Sequence, residues 1–207
     1  MKTNWWLGIV GALWLAGCTP SPEQVAPNED VAALHDRFHG KYSIVSSVSD
    51  EAIDVNMDGK ASTNMLAEIT QLAPDYRCEL VLHITGNTQV DGKPGFTMMQ
   101  AWPEQYIWLQ TKRGNWEWEP LDYDPKQTVN YAQQGASRLV SFAPDLTVIN
   151  VDDDAHGDAS VRWKKPVSVK VVGKHAIEVT NRKTIYTSAG TKTVLITTRY
   201  ERYTMTT

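Results

Sequence analysis

The sequence predicts a mainly β protein, an antiparallel barrel or sandwich with one or two short helices. Three observations carry that expectation. Apolar and polar residues alternate through many short runs, as in Cys78–Thr85 and Val167–Val171. Glycine-containing turns such as Asp91-Gly92, Gly114-Asn115, Gly173-Lys174 and Ala189-Gly190 separate several of these runs at hairpin distances. Helical spacing of apolar residues occurs in only two stretches, Glu29–Phe38 and Ser62–Leu72.

The N-terminal segment comes before the fold. Lys2 stands ahead of an apolar run from Leu7 to Leu15, which closes in Leu15-Ala16-Gly17-Cys18. A positive start, a short apolar run and small residues at the cut mark a secretory signal. The run is well short of the roughly 20 residues a bilayer core requires. The box resembles that of bacterial lipoproteins, which implies cleavage before Cys18 and lipidation of its thiol. Residues 1–17 are then the signal peptide, 18–30 the lipidated cysteine and a proline-bearing flexible tether, and 31–207 the folded domain. Thr19 stands where the family places the aspartate that retains such proteins in the inner membrane. The resemblance therefore implies the outer membrane of a Gram-negative cell, with Cys18 as the membrane attachment.

The formal net charge of the 207-residue chain is −4, without basic clusters, which argues against nucleic acid as a partner. With Cys18 lipidated, Cys78 is the one remaining cysteine, so no intramolecular disulfide is expected.

Along the domain, Val31, Leu34 and Phe38 share a helix face, with Asp30 as N-cap and Gly40 as stop. This helix is placed to plug or cover the domain. Lys41–Val48 alternates as a strand, Asp50–Gly59 is an acidic loop, and Ser62–Leu72 carries Met65, Leu66, Ile69 and Leu72 on one face of a second helix. Strands are then expected at Cys78–Thr85, at Phe96–Trp102 and Gln105–Gln110 with Pro103 as a break, and at Asn115–Glu119. The remaining runs are Arg138–Phe142, Leu146–Val151, Val167–Val171, Ala176–Tyr186 and Thr191–Thr204. In a closed barrel the faces Leu80/Leu82/Ile84, Val167/Val169/Val171 and Val194/Ile196/Tyr200 would point inward.

The sharpest internal motif is Asp54-Val55-Asn56-Met57-Asp58-Gly59. Oxygen side chains at alternate positions before a glycine turn begin an EF-hand-type calcium loop, and Ser62 falls at its ninth position. The twelfth position holds Met65 instead of a bidentate glutamate, with Glu68 one helical turn later. The candidate metal ligands are thus Asp54, Asn56, Asp58 and Ser62, with calcium the suited ion. The other reading is an Asx-rich turn that caps the following helix.

Other clusters point less clearly to chemistry. Asp152, Asp153, Asp154, His156 and Asp158 surround Gly157 and read as a solvated hairpin tip. His35 and His39 have metal-ligand spacing without a third ligand, and read as exposed helix residues. Cys78 on an apolar strand face reads as a buried small hydrophobe, with Arg77 directed to the opposite face. Trp102, Tyr106, Trp108, Trp116, Trp118 and Tyr123 form an aromatic concentration, expected mainly in the core with one or two facing a cavity. No GxSxG, P-loop or dinucleotide fingerprint occurs.

Gly40-Lys41-Tyr42 resembles the Gly-x-Trp opening of lipocalins, with tyrosine in place of tryptophan. The stretch Gly40–Ile69, Cys78-Glu79 and Arg199-Tyr200-Glu201-Arg202 are similar to lipocalin-like lipoproteins of Gram-negative bacteria. The resemblance implies an eight-stranded up-and-down barrel with an internal cavity, and no particular ligand. The expectation is a lipid-anchored, non-catalytic envelope protein that binds a small apolar molecule. A filled barrel acting as a structural or interaction module is the alternative, and a hydrolase the third.

Overall fold

The computed structural model describes residues 30–86, 89–90, 93–105, 124–126, 128–152 and 165–207. Among them the elements run α1 (Val31–Phe38), β1 (Gly40–Ile53), β2 (Ser62–Asn64), α2 (Met65–Glu68), two 3-10 turns (Thr70–Leu72 and Pro74–Tyr76), β3 (Leu80–His83), β4 (Gln89–Val90), β5 (Lys93–Pro94), β6 (Phe96–Gln105), β7 (Tyr131–Phe142), β8 (Ile149–Val151), β9 (Ser168–Gly173), β10 (Ala176–Thr187) and β11 (Gly190–Thr204). None of the described helices is long and apolar enough to cross a membrane.

Eight strands pair in the order β8-β7-β6-β3-β1-β11-β10-β9, with β2 beside β1 and β4–β5 a separate pair. All pairings are antiparallel. The two outermost strands meet where Val148 bridges Lys170 and the Val171 N–H donates to the Thr147 carbonyl at 2.8 Å. The sheet is therefore a nearly closed up-and-down barrel, consistent with a lipocalin-like fold.

Alternation sets the interior. Leu80, Leu82 and Ile84 of the β3 region, Val169 and Val171 of β9, and Val194, Ile196 and Tyr200 of β11 pack in one core with Tyr42, Phe96 and Met98. Val167, expected on the β9 face, lies before the strand and is exposed. In β1 the register shifts between Ile44 and Ser46, a bulge that leaves Val45 unpaired. Inward positions therefore pass from Tyr42 and Ile44 to Ser47 and Ser49.

Helix α1 closes one end. Asp30 Oδ1 accepts the Ala32 and Ala33 N–H groups, giving the predicted N-cap. Leu34 and Phe38 are buried, and the Phe38 ring stacks on Phe142 at 4.5 Å between centroids. Tyr42 donates its hydroxyl proton to the Phe38 carbonyl at 2.6 Å. Arg202 of β11 donates to the carbonyls of Asp36, Arg37 and His39 at 3.0–3.2 Å, which meets the unsatisfied C-terminal end of the helix. Gly40 adopts φ +136°, and a Cβ there would collide with the Thr204 carbonyl.

Several boundaries differ from expectation. The second helix shrinks to α2, four residues, because the backbone turns extended at Ile69 (φ −125°, ψ 92°); two 3-10 turns follow, the second opening on Pro74. Pro103 does not break β6. Odd-numbered N–H groups of β6 face β3, as Ala101 N–H does in donating to Glu79 O. The β3 pairing reaches only Leu80↔Gln100, so at Pro103 no β3 carbonyl needs a donor. Strand β7 begins at Tyr131 rather than Arg138, since pairing with the extended β6 carries it on. Cys18, the tether to residue 29, Asn115–Glu119, Asp153, Asp154, His156 and Asp158 lie outside the described residues.

Candidate functional site

The β6–β7 register places Phe96, Met98, Gln100, Trp102 and Glu104 on the inner face of β6. Opposite them, the inward positions of β7 are Val140, Arg138, Ala136, Gln134 and Ala132. The inner surface thus changes character along the barrel: apolar beside α1, polar or small towards the other end. Strand β10 changes in step, from Ile177 and Val179 to Asn181 and Lys183.

Strands β6 and β10 are not neighbours in the sheet, yet their side chains meet inside it. Gln100 Nε2 donates to the Tyr200 hydroxyl at 3.0 Å, and Asn181 Nδ2 donates to Gln100 Oε1 at 3.2 Å. Lys183 Nζ donates to Glu104 Oε1 at 2.6 Å, with both side chains nearly 90% shielded (12% and 11% exposed). The same ammonium lies 5.1 Å from the Trp102 ring centroid. At the rim, the Gln105 amide stands in for a strand: it donates to Tyr186 O at 3.0 Å and accepts Tyr186 N–H at 2.8 Å. Buried polar groups are costly without partners, and here each named one has one.

Ala132, Gln134, Ala136 and Arg138 are only half-buried although they face inward. The described pairing of β7 on its β8 side covers Val140–Phe142 and the Leu139 carbonyl. The N-terminal half of β7 thus presents a partly open inner surface of small and polar side chains. Trp102 is buried beside it, as expected for the core, while Tyr106, Trp108, Trp116, Trp118 and Tyr123 lie outside the described residues.

The candidate metal residues lie together in the loop between β1 and β2. Asp54 accepts the Asp58 and Gly59 N–H groups through its two oxygens at 3.1 and 3.0 Å. Asn56 Oδ1 accepts Asp58 N–H at 3.0 Å, and Asp58 Oδ1 accepts Lys60 N–H at 2.8 Å. Gly59 takes φ +83° at the sharp turn. Ser62 sits in β2, its hydroxyl accepting the Asn64 N–H at 3.0 Å, and Asn64 caps α2. Glu68, buried, accepts the Val55 and Asn56 N–H groups through Oε2 at 2.8 and 3.3 Å. Among the described residues, no group of three or more His, Cys, Asp or Glu side chains is placed to hold a metal.

Two expectations about single residues are corrected. His39 is not an exposed helix residue: it is the buried C-cap of α1, 7% exposed, because Ile84 after β3, Arg202 of β11 and Thr207 beyond that strand close around it. Arg77 is not in a strand at all but at φ +53° after the second 3-10 turn. Cys78 is buried as expected; its thiol donates to Gln71 O at 3.1 Å, and burial pushes its pKa up to about 11. That removes it as a nucleophile at neutral pH. The polar contacts between β6 and β10 leave no local signal in the sequence, since their partners lie about 80 residues apart.

No family model, curated protein or solved structure matches the chain.

Proposed function

We propose that the protein is a non-catalytic, lipid-anchored envelope protein, attached through Cys18, that holds a small molecule with an apolar body and a polar head. The observation that supports it is the inner face of β7. There Ala132 and Ala136 are small, Gln134 adds a polar side chain, and the positions remain half-buried. Apolar walls with a few placed polar groups are what small-molecule sites are made of. The lipobox and Thr19 support attachment to the outer membrane of a Gram-negative cell. Native mass spectrometry of the detergent-purified chain tests the reading: a stoichiometric co-purified small molecule is expected, and a mass equal to the acylated chain alone counts against it.

A second reading, a filled barrel serving as an interaction module, draws on the Gln100–Asn181 and Glu104–Lys183 contacts, which occupy interior space. For the 54–62 loop the proposal is a structural calcium ion on Asp54, Asn56, Asp58 and Ser62. Its support is the density of hard oxygens beside a glycine turn.

A further inference from the structure

We infer that the α1 end of the barrel is an acid-sensitive latch, in which protonation of His39 and His175 releases α1 from the end it plugs.

His39 Nδ1 accepts the buried Ile84 N–H at 3.1 Å, so that nitrogen carries no proton. The ring's one proton belongs on Nε2, which lies 3.3 Å from Thr207 Oγ1. His175, in the β9–β10 turn, has its Nδ1 2.7 Å from Arg202 Nη2. A guanidinium only donates, so this imidazole nitrogen is also an acceptor. Both rings are therefore held neutral by partners that cannot reverse roles.

The surroundings add to this. On α1, His35 stacks on His39 at 4.3 Å, Asp36 lies 3.7 Å from His35 and borders the same cleft as His175, and Arg37 follows. From β3, His83 approaches His39 edge-on at 6.0 Å. From β11 comes Arg202, and from the β9–β10 turn Lys174. Burial first, then His35, His83 and Arg202, lowers the pKa of His39 below its ordinary 6.5. Desolvation, then Arg202 and Lys174, lowers that of His175. A cleft lined by Ala33, Asp36, Arg37, Lys174 and His175 gives water access to the latch.

Protonating His39 at Nδ1 sets a donor against the Ile84 N–H and adds a cation beside Arg202. Protonating His175 sets an imidazolium against the same guanidinium. Arg202 is the group that holds the three carbonyls at the end of α1. An eight-residue helix does not persist alone, so loss of these contacts melts it and uncovers Phe142. Both imidazoles have pKa values depressed in the folded state. The released state binds more protons below pH 6.5, so the latch is fully closed above that pH and weakens as pH falls through the folded values.

Amide hydrogen exchange on the full chain in detergent, at about pH 7.5 and about 5 with intrinsic rates corrected, reads the latch directly. Protection of residues 34–39 and of Ile84 is expected to fall at the lower pH by about an order of magnitude, the effect of losing a buried hydrogen bond. The β10–β11 hairpin should keep its protection. In a His39→Asn/His175→Asn chain the amide oxygens can replace the Nδ1 acceptors without titrating, and α1 should stay protected at the lower pH. Unchanged α1 protection in the wild-type chain, or the same acid loss in the double variant, overturns the inference. If the double variant is already unprotected at neutral pH, the wild-type profile decides. Loss below pH 6.5 confined to α1 and Ile84 supports the latch, and loss shared with β10–β11 overturns it.

Discussion

At the α1 end the barrel interior is hydrocarbon against hydrocarbon: Phe38 on Phe142, with Leu82, Phe96, Met98, Ile177 and Val179 around them. At the other end the same strands present Gln100, Glu104, Asn181 and Lys183, each tied to a named partner. The first arrangement is non-directional and tolerates inexact geometry. The second exists only while its members meet, since a buried polar group without a partner is strongly unfavourable. One end is thus built for stability, and the other keeps placed polar groups beside a partly open wall.

Breaking the apolar end should have the largest effect. Phe38→Ala removes the stacked ring and leaves a cavity under α1, so denaturant unfolding should show a loss of about 3–5 kcal/mol. At the polar end, Lys183→Met leaves Glu104 buried without its cation and should cost roughly 3 kcal/mol. Adding Glu104→Leu to it should recover most of that loss, because paired hydrophobic replacement removes the stranded charge. A double variant no better than Lys183→Met would show that the pair is not the unit that matters.

This contrast also explains what the sequence could reveal. Alternation at Leu80/Leu82/Ile84 and Val194/Ile196/Tyr200 is a local signal, and it correctly named the inward faces and the antiparallel barrel. Asp30 and the Val31/Leu34/Phe38 spacing named the plugging helix for the same reason. Asn181 and Lys183 look in sequence like the polar half of a strand facing water. Nothing near them announces that Gln100 and Glu104 wait across the interior. The His39 environment was hidden similarly: the ring is buried by Ile84 and Arg202, which arrive from β3 and β11. The bulge at Val45, which exchanges the inward set of β1, has no local marker in Val-Ser-Ser-Val.

Alkaline conditions sharpen the comparison further. Burial raises the Cys78 pKa from 9.0 to about 11 and the Tyr42 pKa from 10.0 to about 12. Folded pKa values raised in this way mean the native state holds protons longer. Stability should therefore begin to fall above pH 9 and continue falling to about 12. In a Cys18→Ser chain, where Cys78 is the sole thiol, labelling by a thiol reagent at neutral pH should require unfolding. Rapid labelling of the folded chain would place Cys78 at the surface instead.

The smallest expected effect belongs to the 54–62 loop. Calcium at a hundred times its dissociation constant should add about 2.7 kcal/mol if it binds only the native chain. Thermal unfolding with millimolar calcium and with chelator measures it. Equal midpoints would assign the loop to the Asx turns already holding its own backbone.

The difference between the two ends is tested most directly by filling the polar one. Ala136 faces inward from β7, half-buried opposite Gln100, so a large side chain there would fill the proposed site. A fluorescent probe with an apolar body and an anionic head should bind the wild-type chain saturably. Ala136→Trp should abolish that binding while leaving the unfolding midpoint within a few degrees. Absence of saturable binding, or binding untouched by Ala136→Trp, would contradict a ligand site at this end and favour the filled barrel.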